Sequence, residues 1–148
     1  MVAMFEGNAV MGEEFFKKSI EANPKYANPY LNLGKIRTNQ KNFVEAIKFL
    51  QQYTDIAPLN VEALFLLTNA LVMNGNFTDA IAMAQRVHGM PHERFSIVHV
   101  LSGISYERLR EFPKAKLEYQ MYLKESPHGP MAERARSAIV ALTGRTEL

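Results

Sequence analysis

The feature that most constrains this 148-residue chain is that it repeats itself on a fixed beat. The stretch "KNFVEAIKFLQ" starts at Lys41, and "GNFTDAIAMAQ", 34 residues later at Gly75, keeps its Asn, Phe and Ala. The segment "GNAVMGEEFFK", 34 residues before Lys41, opens on the same Gly-Asn pair, and "REFPKAKLEYQ", 35 residues after Gly75, keeps Phe112 and Ala115. A unit of this length is one supersecondary element that cannot bury its own apolar face, so it must stack on its neighbours.

Helix signals return on the same beat. In "NPYLNLGKIRTNQ", Tyr30, Leu33 and Ile36 fall at helical spacing behind Pro29, which suits a first turn. From Phe43 to Ile56 an apolar face of Phe43, Ala46, Ile47, Leu50 and Tyr53 opposes Glu45, Lys48 and Gln52, and Pro58 ends the run. Each period is therefore a helical hairpin. A second hairpin is expected from Asn60, as N-cap, to Met73 and from Phe77 or Thr78 to Val87, turning at Asn74-Gly75. The third is expected over Glu93 to Leu109 and Phe112 to Glu125, and "MAERARSAIVALTG" reads as a capping helix with Gly144 as its stop. No β-alternation competes. At the start, a turn is expected at Gly7-Asn8, with Gly12 to Glu21 as the second helix of an incomplete unit. On that expectation the chain begins inside a repeat, and two explanations fit: it is cut from a longer solenoid, the favoured one, or the half-repeat is a natural start.

A helical hairpin of this period resembles the tetratricopeptide repeat, whose signature is W-x2-L-G-x2-Y, then A-x3-F, then P. The first full copy offers Tyr30, Leu33, Gly34, Ala46, Leu50 and Pro58, with Arg37 where the family prefers Tyr. The second keeps only the size classes, with Leu64, Leu67, Thr68, Leu71, Ala80 and Ala84, and the third has His99, Ser102, Gly103, Tyr106, Ala115, Tyr119 and Pro127. The resemblance implies an all-α, right-handed superhelical solenoid of antiparallel hairpins in one domain. Its parts are a half-repeat over 1–26, repeats over 27–60, 61–95 and 96–129, and a capping helix over 130–143. The physical demand behind the small residues is independent of the family. Gly34 and Gly103, facing Ala46, Ala80 and Ala115, let paired helices approach closely, which justifies a mid-helix glycine that costs about 1 kcal/mol relative to alanine.

Chemistry is not indicated. Seventeen basic against fifteen acidic residues leave a formal charge of +2 and no basic run longer than a pair, so a nucleic-acid partner is not expected. No apolar run suits membrane insertion, and the absence of cysteine removes disulfides, thiolate nucleophiles and Cys-based zinc sites without locating the protein. Phosphate loops, nucleophile elbows and H-E-x-x-H pairs are missing. His88 and His92 are four apart, but Gly89 and Pro91 interrupt any helix between them, so they read as turn and surface histidines. His99 takes an aromatic position and reads as a packed, hydrogen-bonded core residue. No catalytic residue, metal ligand or cofactor is assigned, and Met11, Met83 and Met121 are read as core filling.

A partner is expected on the concave wall built by the first helix of each repeat, the usual peptide-binding surface of proteins that look like this one. Period places Leu31, Lys35 and Thr38 there, then Glu62, Phe65, Asn69 and Met73, then Ile97, Val100, Ile104 and Arg108. Phe65, Val100 and Ile104 read equally well as packing between repeats. Some members of the family clamp a peptide carboxylate with Lys-x3-Asn and a later Lys-x3-Arg. Leu31 with Lys35, and Ile97 with Leu101, replace those pairs here, which favours an amphipathic helix or extended apolar segment as ligand. The leading reading is a non-catalytic scaffold for a protein or peptide partner. The alternatives are a regulatory or substrate-presenting region of a larger enzyme, and self-association as a homodimer through the N-terminal half-repeat, where Phe15, Phe16 and Ile20 lack a full neighbour.

Overall fold

A computed structural model describes residues 2–146 of the chain, with side chains described for 10–145. Its α-helices are α1 (Val2–Ala22), α2 (Asn28–Asn39), α3 (Phe43–Ile56), α4 (Val61–Met73), α5 (Phe77–His88), α6 (Val98–Arg108), α7 (Phe112–Glu125) and α8 (Ala132–Thr146). No strand occurs among the described residues. Consecutive helices pack antiparallel, and α4 also touches α2 on one side and α6 on the other. That second set of contacts makes the hairpins a solenoid, with α2, α4 and α6 side by side on one wall.

The turns inside the hairpins explain the beat. Lys41, Gly75 and Arg110 all have positive φ, at 58°, 83° and 61°, and follow one another by 34 and 35 residues. Only glycine adopts that conformation without a Cβ penalty, so Lys41 and Arg110 each carry a local cost of about 1 kcal/mol that the packed hairpins must offset. One residue further on, the Asn42 side chain caps α3 by accepting from the Glu45 amide at 3.3 Å. Asn60 does the same for α4 through the Ala63 amide at 2.9 Å, as its position before an apolar run led one to expect.

Within the hairpins the small residues sit where the helices are closest. A Cβ built on Gly34 would meet Leu50 at 2.7 Å, and one on Gly103 would meet the Tyr119 ring at 2.8 Å. Ala46, Ala80 and Ala115 are fully buried on the second helices of the three hairpins. The core runs continuously along the stack, from Tyr30, Tyr53 and Ala63 through Leu50, Leu67 and Leu71 to Tyr119, Tyr122 and the Ala135 and Leu142 face of α8.

Four sequence expectations are corrected. The Gly7-Asn8 turn does not form, because α1 runs unbroken through it. Gly7 and Asn8 both lie inside the helix, which accepts an interior glycine there at a cost of about 1 kcal/mol relative to alanine. The helix expected over Glu93 to Leu109 is split. Pro91 lacks a donor, Glu93–Phe95 forms one 3-10 turn held by the Phe95 amide on the His92 carbonyl at 2.7 Å, and α6 begins only at Val98. Gly144 does not stop α8, since nothing lies within 4 Å of its Cβ position and no left-handed turn is needed there. Met11 and Met121 are exposed rather than core-filling, and of these three methionines Met83 alone packs against the interior.

Candidate functional site

The wall of α2, α4 and α6 holds most of the residues that period assigned to it, at very different depths. Leu31, Phe65 and Ile104, one from each helix, are half-buried and rest on the same core cluster of Leu50, Leu67, Leu71 and Leu101. Phe65 also meets Phe95, with ring centroids 5.2 Å apart. Phe95 had not been singled out, because the 3-10 turn that brings it over α4 leaves no periodic signal. Ile97 caps the start of α6 and packs towards α7 and α8 while remaining partly open.

Val100 is corrected. At 1% exposure it is withdrawn into the cluster of Tyr119, Tyr122, Ala132 and Ala135, so it belongs to the packing side of α6 and not to an open wall. The capping helix α8 claims that face, and a one-residue difference in helical phase decides which side chain it covers.

Polar groups frame the apolar line. Lys35 Nζ pairs with Glu62 Oε1 at 2.7 Å, tying α2 to α4 across the wall, and Thr38 donates back to the Gly34 carbonyl at 2.8 Å. Asn69 is half-buried, Met73 is 59% exposed at the end of α4, and the Arg108 guanidinium lies 5.7 Å from the Phe77 ring centroid. These groups offer one basic edge, one acidic partner and an apolar floor.

A second cluster gathers the histidines. His99 is buried, as its position in the repeat implied, with Nδ1 2.8 Å from Glu118 Oε2 and Nε2 3.1 Å from Glu125 Oε1. His88 and His92 are not free surface residues. The Gly89–Pro91 reversal does end α5, but it swings His92 back over the same spot. His88 stacks on His99 at 4.1 Å and 17°, and His92 meets His99 edge-on at 5.5 Å. His92 Nε2 lies 3.0 Å from Glu125 Oε1 and its Nδ1 2.7 Å from the Met90 carbonyl. Burial, and then the neighbouring His99, hold His88 below the ordinary imidazole pKa, and its Nε2 has no hydrogen-bond partner. Burial also opposes the charge on His99, yet the Glu118 and Glu125 carboxylates outweigh it and raise that pKa. The acids had a legible signal that sequence reading passed over: Glu118 and Glu125 are seven apart, hence on one face of α7.

Models of the tetratricopeptide repeat match residues 15–48 and 40–88, so the matched segments overlap and run through the first two full hairpins. The chain is a tetratricopeptide-repeat protein. Among solved structures, this repeat protein is similar to MamA, with 23% identity and a TM-score of 0.86 over 98% of this chain and 82% of that one. It also resembles the Arabidopsis OM64 TPR domain, at 15% identity and a TM-score of 0.71 over 78% of this chain and 93% of that one. The first TPR domain of human RPAP3 is similar too, at 17% identity and a TM-score of 0.67 over 82% of this chain and 98% of that one. At such identities the likeness shows the fold alone. No curated protein matches the sequence significantly. As a class, the tetratricopeptide-repeat solenoid is a protein-interaction scaffold.

Proposed function

We propose that this tetratricopeptide-repeat protein binds a segment of a protein partner, an amphipathic helix or an extended apolar stretch, along the wall of α2, α4 and α6. One observation carries the reading: three successive wall helices each contribute a half-buried apolar side chain, Leu31, Phe65 and Ile104, to one line above a shared core cluster. A line of that kind supplies hydrophobic anchors at the spacing of the repeats, while Lys35, Glu62 and Arg108 supply polar rims that set orientation. Leu31 and Ile97 stand where a carboxylate clamp would need cations, so the ligand is held by side chains along its length and not by its terminus.

The test is affinity capture on the intact chain, with identification of what is retained. Phe65→Asp combined with Ile104→Asp should abolish recovery of the partner while the helical circular dichroism persists. Both residues also rest on the core, so Met73→Asp is the companion variant: it is exposed, should leave the unfolding midpoint unchanged, and should weaken recovery. Equal recovery by the parent and every variant would remove the wall from consideration.

A second reading has its own observation. Val10, Met11 and Phe15 on α1 are all more than half exposed, Phe15 at 66%, which is an apolar face suited to a second copy of the chain. Sedimentation at several concentrations, with Phe15→Glu beside the parent, decides it: self-association predicts a concentration-dependent mass that the variant loses.

A further inference from the structure

The histidine cluster poses a proton-counting problem. Four ring nitrogens face oxygen acceptors: His92 Nδ1 the Met90 carbonyl, His92 Nε2 and His99 Nε2 the same Glu125 Oε1, and His99 Nδ1 the Glu118 carboxylate. A neutral imidazole has one N–H, so two neutral rings can satisfy only two of the four. If both Nδ1 atoms carry the protons, each has a good acceptor, and the two Nε2 lone pairs are left converging on a carboxylate oxygen. A second proton on each ring, or one metal cation held between the three atoms, resolves that convergence.

We infer that His92 Nε2, His99 Nε2 and Glu125 Oε1 form a three-ligand site for a divalent transition-metal ion of the zinc class. One donor atom from each residue lies within 4.8 Å of the others, and the two nitrogens are 3.0 and 3.1 Å from the carboxylate oxygen. Tetrahedral bonds of about 2.0–2.1 Å place ligand atoms about 3.3 Å apart, so outward shifts of a few tenths of an ångström bring both nitrogen–oxygen pairs to that spacing. The surrounding partners are the ones that metal-bound histidines use. Each ligating ring turns its other nitrogen to an acceptor, His99 to the Glu118 carboxylate and His92 to a backbone carbonyl, which fixes the tautomer and the ring plane. Two imidazoles and a carboxylate suit zinc and its neighbours better than calcium or magnesium.

The neighbouring combination of His88, His99 and Glu118 is a poorer site. The rings of His88 and His99 are nearly parallel at 4.1 Å, so their in-plane lone pairs cannot meet at one point, and His88 Nε2 stands 3.9 Å from Glu118. His88 instead covers the face of the ligand ring. On the other side a cleft of about 410 Å³, lined by Met90, Pro91, Glu93 and the two ligands His92 and Glu125, opens the fourth coordination position to water or to a donor from a partner. The bound ion would staple the connector between α5 and α6 to α7, joining two successive repeats at their junction.

The experiment titrates the full, untagged chain with Zn²⁺ alone by calorimetry and repeats it with Co²⁺, whose visible bands report nitrogen ligation and low coordination number. The parent should bind one ion per chain and unfold at a higher temperature with Zn²⁺ present. His92→Ala and Glu125→Gln should each weaken Zn²⁺ by about 100-fold or more, and Glu118→Gln, which only orients His99, by about 10- to 100-fold. His128→Ala, an exposed histidine away from the ligand set, should change nothing. His92 and Glu125 are only partly buried, so their variants keep the test open if changes at His99 prevent folding. Absence of saturable Zn²⁺ binding by the parent overturns the inference, as does parent-like affinity in both His92→Ala and Glu125→Gln.

Discussion

The first and third hairpins solve their packing one way, and the second solves it the other way round. In α2/α3 and α6/α7 a glycine on the first helix receives a large side chain from the second, Gly34 under Leu50 and Gly103 under Tyr119. The equivalent pair in α4/α5, 34 residues beyond the first and 35 before the third, is Thr68 and Ala84, both fully buried. There the first helix carries the bulk and the second is small. Thr68 also neutralises its own hydroxyl by donating to the Leu64 carbonyl at 2.8 Å. What the crossing needs is one small residue on either helix, which is why the middle repeat looks degenerate while stacking like its neighbours.

The comparison breaks hardest at the small residue of the second hairpin. Ala84→Leu imposes Leu50-like bulk opposite Thr68 and should cost about 1 to 3 kcal/mol by urea unfolding. Adding Thr68→Gly recreates the pair of the first hairpin and should return a good part of that loss, even though glycine costs about 1 kcal/mol in helix propensity. A double variant no more stable than Ala84→Leu alone would show that the two positions do not share one volume.

The next break separates two pairs that look alike. Gly103→Ala drives a methyl into an aromatic ring whose hydroxyl is held 2.5 Å from Glu107 Oε1, so the ring has nowhere to turn. Gly34→Ala meets the branched end of Leu50, which can change rotamer. Both gain about 1 kcal/mol in helix propensity. The expectation is a net loss of about 1 to 2 kcal/mol at Gly103 and a change within about 1 kcal/mol at Gly34, read as unfolding midpoints in parallel. Equal losses at both would mean that the flexibility of the partner side chain is irrelevant.

How far the fold could be read from sequence follows from the same pairs. The 34-residue return of Gly, Ala, Leu and Tyr classes is a local record of helix-on-helix contact, so the hairpins, the N-cap at Asn60 and the packed state of His99 were all legible. Legibility failed where a contact comes from a different element. Nothing near Val100 announces that α8 will cover it, and the Gly89–Pro91 reversal that brings His92 onto His99 is invisible to helical periodicity. The turn expected at Gly7-Asn8 failed although the local signal was present, because a Gly-Asn pair is compatible with a helix interior as well as with a turn.

A smaller break concerns the fourth signature position, which the three hairpins fill with Arg37, Leu71 and Tyr106. Leu71 is buried in the core and Tyr106 packs beneath Lys114. Arg37 instead bonds both oxygens of Glu13 on α1, and also Glu45 and Gln40. The Arg37 hydrogen bond, with Lys17 beside it, holds the Glu13 pKa at about 2, below its ordinary value of 4.5. A depressed carboxyl pKa stabilises the fold above the unfolded value and loses that contribution as pH falls through the folded one. The pair therefore contributes fully at pH 5 and above, and its contribution is lost between about pH 4.5 and 2. Because Glu13 is not fully shielded from water, its contribution is about 1 kcal/mol or less. Arg37→Leu, which restores the residue type of the second hairpin, should trail the parent at pH 7 and draw level with it near pH 2. A gap that stays constant across that range would place the role of Arg37 in its contacts with α3 and not in its hold on α1.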